Sequence, residues 1–350
     1  MVETILRLNQ LIRFHFFGFS SSVALMGLAS VDPAPSFSRV LVVLASTFAF
    51  HVFTYVQNDV IDLEIDRTQP LRRNDLLVTG RISPAQAMTA ALLQLPLSLG
   101  LLWWTGAPPS CLAVVVAGYG LMTVYNMYGK RCPFPPLTDL VQGLSWGTLA
   151  LVGGLSTGRG ISPLTVLAAA HGCGFLFLIN GVHGGLRDLG NDLACGMRTS
   201  AIFFGAVPLP GDEARSSRGL RGFAWLAWTL LVGPWAVAFA VNAFGYDAGT
   251  WWGAFVPWLA IQVASALVLR RVVADVTPNR GFIISAHGLP LLLAPIVAFL
   301  PHMSTALVST TLLFFFGPFV AMDPSLESVR GLWRRVQADV AATDPATSPE

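Results

Sequence analysis

Apolar residues gather in ten stretches, at about 14–30, 38–57, 84–104, 110–128, 138–157, 162–183, 221–244, 250–269, 281–300 and 303–322. Each is close to the roughly 20 residues that carry a helix across a bilayer core, and polar positions collect between the stretches. Short turns rich in Pro, Gly, Ser or Asp separate most of them, such as Asp32-Pro33-Ala34-Pro35 and Ala107-Pro108-Pro109. Proline ends a helix there by removing a donor and restricting the residue before it. The pattern predicts ten helices. Pro301-His302 leaves almost no loop before the last one, so 281–322 reads equally as one span plus a re-entrant or interfacial piece. The expectation is one transmembrane domain over 1–322 and a polar tail over 323–350.

Composition agrees with a lipid solvent. Of 350 residues only 21 are basic and 19 acidic, or 11% charged, against roughly 25% in soluble domains, and 54% are hydrophobic. A net charge of +2 excludes a nucleic-acid partner, which would need a basic patch. The four cysteines, at 111, 132, 173 and 195, have neither disulfide-scaffold nor zinc-ligand spacing. With the N-terminus inside and ten crossings, 19 of 21 basic residues fall on one side and only Arg39 and Arg159 on the other. By the positive-inside rule that side is cytoplasmic, which makes the chain a multi-pass integral membrane protein. Residues 1–30 also admit a signal-peptide reading ending at Gly27-Leu28-Ala29, but the apolar stretch is long for one and its removal leaves an odd number of crossings.

Five carboxylates fall between Asp59 and Asp75. On a helix Asp59, Asp62 and Asp66 share one face, while Glu64 points about 200° from Asp62. Like charges at this spacing repel, and desolvation at a membrane edge adds to the cost. The row makes sense with a cation upon it. The plainer account is a solvated loop whose acids pair with Arg67, Arg72, Arg73 and Arg81. A second segment changes the balance: Arg187-Asp188-Leu189-Gly190-Asn191-Asp192 sets Asp188 and Asp192 on one face, and four spans return it to the same side of the membrane. Two facing oxygen-rich clusters suit Mg²⁺, whose octahedron is completed by water and substrate phosphates. A diphosphate would also explain the nearby cations Arg72, Arg73, Lys130, Arg131 and Arg198.

The stretch Asn58-Asp59-Val60-Ile61-Asp62-Leu63-Glu64-Ile65-Asp66-Arg67, followed by Gly80-Arg81-Ile82-Ser83, resembles the first aspartate-rich motif of the UbiA superfamily of intramembrane prenyltransferases. Residues Arg187 to Ile202 are similar to the second motif, and Tyr125 to Arg131, Pro136 and Gln142 to Gly147 to the segment between. The resemblance covers roughly 10–300. It implies an all-α polytopic fold of nine or ten transmembrane helices in two four-helix halves around a central cavity, capped by the cytoplasmic motif loops. Asn58, Asp59, Asp62 and Asp66 would hold one Mg²⁺ with the diphosphate, and Asp188 and Asp192 the other. Lys130 or Arg131, and Arg198, would bind phosphate oxygens. Two departures stand out. Asn74-Asp75-Leu76-Leu77 lacks an arginine common in the family, which Arg72 or Arg73 could replace, and Asn191 stands where an acid is often found.

The resemblance implies Mg²⁺-dependent ionisation of an allylic isoprenyl diphosphate, with the prenyl group passing to a lipophilic, aromatic acceptor. The alternative without an acceptor is a terpene cyclase of the same superfamily. A transporter is a remote third reading, disfavoured because the acids lie at helix ends rather than at the midplane. Aromatic rings such as Tyr55, Tyr125, Trp146 and Phe175 could stabilise a prenyl cation. His51 and His183 could take a proton or could simply be hydrogen-bonded within a bundle. Asn180, Tyr55 and Asn126 could orient an acceptor.

Overall fold

A computed structural model describes residues 9, 11–69, 72–210, 213–276 and 280–322. The charges of Arg7 and of Arg330, Arg334 and Arg335, and the tail from 323, lie outside the described residues. The long helices are α1 (Phe17–Ala29), α2 (Phe37–Ile61), α3 (Pro84–Trp104), α4 (Pro109–Tyr128), α5 (Pro135–Leu155), α6 (Pro163–Arg187), α7 (Arg218–Ala240), α8 (Ala248–Val272), α9 (Arg280–Phe299) and α10 (Thr305–Met322). Their starts follow local chemistry. Ser36, Ser217 and Asp247 accept from backbone N–H groups at the openings of α2, α7 and α8, and a Ser83–Gln86 capping box opens α3. Proline occupies the first turn of α3, α4, α5 and α6, where its missing N–H costs nothing.

Among the described residues six helices, α2, α3, α4, α6, α7 and α8, are long and apolar enough to cross a membrane. The sequence pattern anticipated more. α1 is only 13 residues long because Arg13 adopts a left-handed conformation (φ 49°) before the short turn Phe14–Phe16. α5 has the length but carries Asp139, Gln142 and four glycines. The final pair is two helices joined by the turn Leu300–His302. The Ser304 N–H donates to the Pro33 carbonyl at 2.9 Å, and α10 returns to pack on α1.

One departure from an all-α chain is a small antiparallel hairpin, Val207–Leu209 with Glu213–Arg215. Pro208 and Pro210 disfavour helix there, and Val207–Leu209 pairs with Glu213–Arg215 instead. At the centre of the bundle α5 packs against α1, α4 and α6. Glycine permits the approach. A Cβ on Gly153 would stand 2.1 Å from the Ala24 carbonyl oxygen, and one on Gly143 would stand 2.4 Å from that of Cys173. Small residues at crossings let membrane helices gain packing that lipid cannot provide.

Candidate active site at the acidic end of the bundle

α2 ends at Ile61 with Asp62 as its cap, and a single helical turn, Leu63–Asp66, follows. The expected face is present. Asp59, Asp62 and Asp66 are 5%, 7% and 5% exposed, whereas Glu64 points outward and pairs with Arg67 at 2.6 Å. Each buried acid rests on a cation. Asp59 Oδ1 is bonded by Arg13 and, at 3.0 Å, by Arg72, whose guanidinium also bonds Asp66. Arg13 additionally lies 4.8 Å over the Tyr55 ring.

Lys130 joins the two acidic segments. Its Nζ lies 3.6 Å from Asp62 Oδ2 and 3.2 Å from Asp192 Oδ1, while its backbone carbonyl accepts from the Arg198 N–H at 2.9 Å. Asp192 is 1% exposed, so this buried carboxylate is neutralised by the Lys130 ammonium rather than by water. Asp188 is bonded twice by the adjacent Arg187, at 3.1 and 2.7 Å. Burial pushes Asp66 up to about 7, helped by the charges of Asp59 and Asp62 and opposed by Arg72. Burial likewise raises Asp62 and Asp192 against the pull of Lys130. For Asp188 burial is outweighed by Arg187, which holds it below the usual carboxylate range. For Lys130 burial is outweighed by Asp62 and Asp192, which hold it above the usual amine range.

Polar residues support this layer. Asn58 Nδ2 is 3.5 Å from both Asp62 Oδ2 and Asn126 Oδ1, and Asn126 donates to Gln57 at 2.9 Å. Asn180 donates to Asp139 at 2.6 Å and also reaches the Tyr125 hydroxyl. Ser200 bonds the other oxygen of Asp139. Asn191 faces the first segment, accepting from Thr68 at 3.1 Å. Arg73, Arg131 and Arg198 are exposed, and Arg131 donates to the Met127 carbonyl at 2.8 Å. These three arginines are not gathered into the cluster, unlike Arg72 and Lys130.

The sequence flagged two histidines. His51 has both ring nitrogens engaged, Nδ1 with Ser20 at 2.9 Å and Nε2 with the Arg13 carbonyl at 3.2 Å. A carbonyl only accepts, so Nε2 carries the proton and Nδ1 takes the Ser20 hydroxyl, leaving no free lone pair. His183 Nε2 bonds His287 at 2.9 Å.

The model of the UbiA prenyltransferase family matches residues 19–287. The chain belongs to this family. A UbiA homolog from Archaeoglobus fulgidus bound to GPP and Mg²⁺ has the same fold, with a TM-score of 0.61 and 16% identity over 87% of this chain and 99% of that one. A UbiA homolog from Aeropyrum pernix gives a TM-score of 0.61 at 17% identity, covering 85% and 98%. Among curated proteins, the polyprenyl transferase macG of Penicillium terrestre is 25% identical over 190 residues, 53% of this chain and 50% of that protein. The protoheme IX farnesyltransferase of Escherichia coli is 37% identical over 76 residues, 22% and 26% of the two chains. The chain thus spans half or less of the curated relatives it matches.

The UbiA site has a donor set suited to Mg²⁺ held together with a phosphate. All its anionic donors are hard oxygens, and Asp192 Oδ1 has the Lys130 ammonium at 3.2 Å as its ion-pair partner, a cation that a bound metal and phosphate could take over. No three carboxylate, histidine or cysteine side chains form a metal cage among the described residues, but Mg²⁺ needs only one or two carboxylates when phosphates supply the rest. Sequence reasoning missed two members of the site. Arg13 was counted only as an orienting charge. Asp139 carried a usable signal, as the one carboxylate inside any of the ten apolar stretches.

Proposed function

We propose that this protein is a Mg²⁺-dependent intramembrane prenyltransferase that ionises an allylic isoprenyl diphosphate and passes the prenyl group to a lipophilic, aromatic acceptor. The observation that carries the reading is the meeting of two distant acidic segments at Lys130, within 3.6 Å of Asp62 and 3.2 Å of Asp192. The GPP and Mg²⁺ bound by the Archaeoglobus homolog support it. Asn58, Asp59, Asp62 and Asp66, with Asp188 and Asp192, would hold Mg²⁺, which when bound neutralises charge on the departing diphosphate. Lys130, Arg72 and Arg13 bind phosphate oxygens and oppose the negative charge that grows on them as the C–O bond breaks. Arg73, Arg131 and Arg198 draw the anion in from the rim. Tyr125 and Asn180 orient the prenyl group or its acceptor. In this reading nine or ten helices cross in two halves around an interior cavity, with the acidic loops on the cytoplasmic side, as the distribution of basic residues supports.

A row of rings supports a second reading, the acceptor-free cyclase. It runs inward from Tyr55 to Trp146 (6.3 Å between centroids), Phe19 (5.3 Å), Phe175 (4.3 Å), His171 (6.2 Å) and Trp235 (5.6 Å). Such faces can stabilise a carbocation away from the diphosphate. The test is incubation of purified protein and Mg²⁺ with geranyl, farnesyl and geranylgeranyl diphosphates, first alone and then with aromatic acceptors. Turnover that begins only with an acceptor is expected. A cyclic hydrocarbon or alcohol formed without one overturns the transferase reading in favour of the cyclase.

A further inference from the structure

We infer that a buried hydrogen-bond chain, Trp228–Ser265–His287–His183, lets the C-terminal helices position the second acidic segment through a π-helical turn. The inference rests on the proposed diphosphate site and makes His287 a positioning residue. α6 is α-helical to Leu178, widens into a π turn over Ile179–Gly184 and tightens again over Gly185–Arg187, directly before Asp188. A π turn amounts to one extra residue in the helix, has poorer hydrogen bonds than the α form and is retained mostly at functional sites.

This turn is pinned from two sides. Asn180 donates to Asp139 on α5 at 2.6 Å. On the other side His183 Nε2 is 2.9 Å from His287 Nδ1 on α9, and His287 Nε2 is 2.9 Å from Ser265 Oγ on α8. That oxygen accepts the Trp228 indole N–H, from α7, at 3.0 Å. His183, Ser265 and His287 are 2%, 0% and 0% exposed. His183 Nδ1 has no hydrogen-bond partner, so the bond to His287 is the polar tie of that ring.

Among the described residues, α7, α8 and α9 supply none of the acidic or cationic side chains at the site, yet their chain of bonds ends five residues before Asp188. Removing the tie would leave a buried imidazole with both nitrogens unsatisfied, which favours rearrangement. If the extra residue then migrated along the helix past Asp188, that residue would rotate by about 100°. Its carboxylate would leave the face on which Asp192 meets Lys130.

The experiment uses the full chain in detergent with His287→Leu, which keeps bulk without polar atoms, His287→Gln, which offers a donor and an acceptor, and Ser265→Ala as a milder break. Hydrogen exchange without substrate should quicken over 179–192 in His287→Leu, while peptides from α2 and α5 exchange as in the wild type. The KM for geranyl diphosphate and the half-saturating Mg²⁺ concentration should rise about tenfold, with kcat changed far less, as for other groups that orient metal ligands. His287→Gln should recover most of both effects, and Ser265→Ala should show a smaller change of the same sign. Unchanged exchange over 179–192, or no recovery with glutamine, overturns the inference. If His287→Leu fails to fold, Ser265→Ala decides, and wild-type behaviour in it overturns the inference. If the wild type does not turn over geranyl diphosphate, the proposed function has failed on that substrate, while the exchange comparison still judges the coupling.

Discussion

Replacing Lys130 with methionine keeps the apolar stem and removes the charge shared by Asp62 and Asp192. At separations of 3.6 and 3.2 Å and an effective dielectric of about 20, each attraction amounts to about 5 kcal/mol before desolvation. Desolvation of the ions takes much of that back. Burial also raises both carboxyl groups, so in the variant one of them can take a proton instead of standing as a bare buried charge. The net loss of folding stability should therefore be modest, about 1–3 kcal/mol. Catalysis should suffer more, because a fixed cation aimed at a developing oxyanion is worth about 100- to 1000-fold in rate. The assay is kcat/KM for geranyl diphosphate at saturating Mg²⁺, alongside thermal unfolding in detergent. Lys130→Arg should recover part of the rate, since it restores the charge with a different fork and reach. A folded Lys130→Met protein with near-wild-type kcat/KM would refute the bridging role.

Asp62→Ala and Asp192→Ala should each abolish turnover while leaving a folded membrane protein, checked by product formation and by elution from a sizing column. Asp66, pushed up to about 7 from an ordinary 3.8, favours folding in its protonated form, so stability should be fullest below about pH 4 and decline as pH rises through 7. Thermal unfolding of the ligand-free protein across that window should show the decline, and Asp66→Asn should make it shallower, with Asp62 and Asp192, also raised by burial, supplying the remainder. Gly153→Ala should lower the unfolding temperature by an amount equivalent to about 1–3 kcal/mol, since its Cβ would meet a backbone oxygen at 2.1 Å that cannot swing aside.

Segment positions were legible because a run of apolar residues is a local property. The predicted stretch 84–104 is the helix Pro84–Trp104, and 110–128 is Pro109–Tyr128 almost residue for residue. Less legible was which helices are long and apolar enough to cross a bilayer. Arg13 shortens α1 by adopting a backbone conformation that hydropathy does not register. The glycines of α5 spend positions on close approach instead of apolar bulk, which lowers its hydropathy while setting it at the centre. The hairpin of Val207–Leu209 with Glu213–Arg215 lies in a stretch that the sequence pattern leaves as a connection, because three-residue strands are too short to show an alternating pattern.

The acidic face of Asp59, Asp62 and Asp66 was legible for a different reason. Helical spacing fixes which neighbours share a face, and the same spacing set Glu64 outward, where it pairs with Arg67. What local spacing cannot reveal is the counterion. Arg13 reaches Asp59 across 46 positions, Ser200 reaches Asp139 across 61, and Lys130 joins Asp62 to Asp192 from a third segment. Each pairing depends on where whole helices end relative to one another, which close packing along α5 helps determine. Of the cations the sequence offered, Arg72 and Lys130 lie within the cluster while Arg73 and Arg131 are exposed. Adjacent residues in these connecting segments point in different directions, so charge alone could not choose between Arg72 and Arg73, or between Lys130 and Arg131. The buried carboxylates make the choice, because a desolvated acid requires a partner within a few ångströms and a solvated arginine does not.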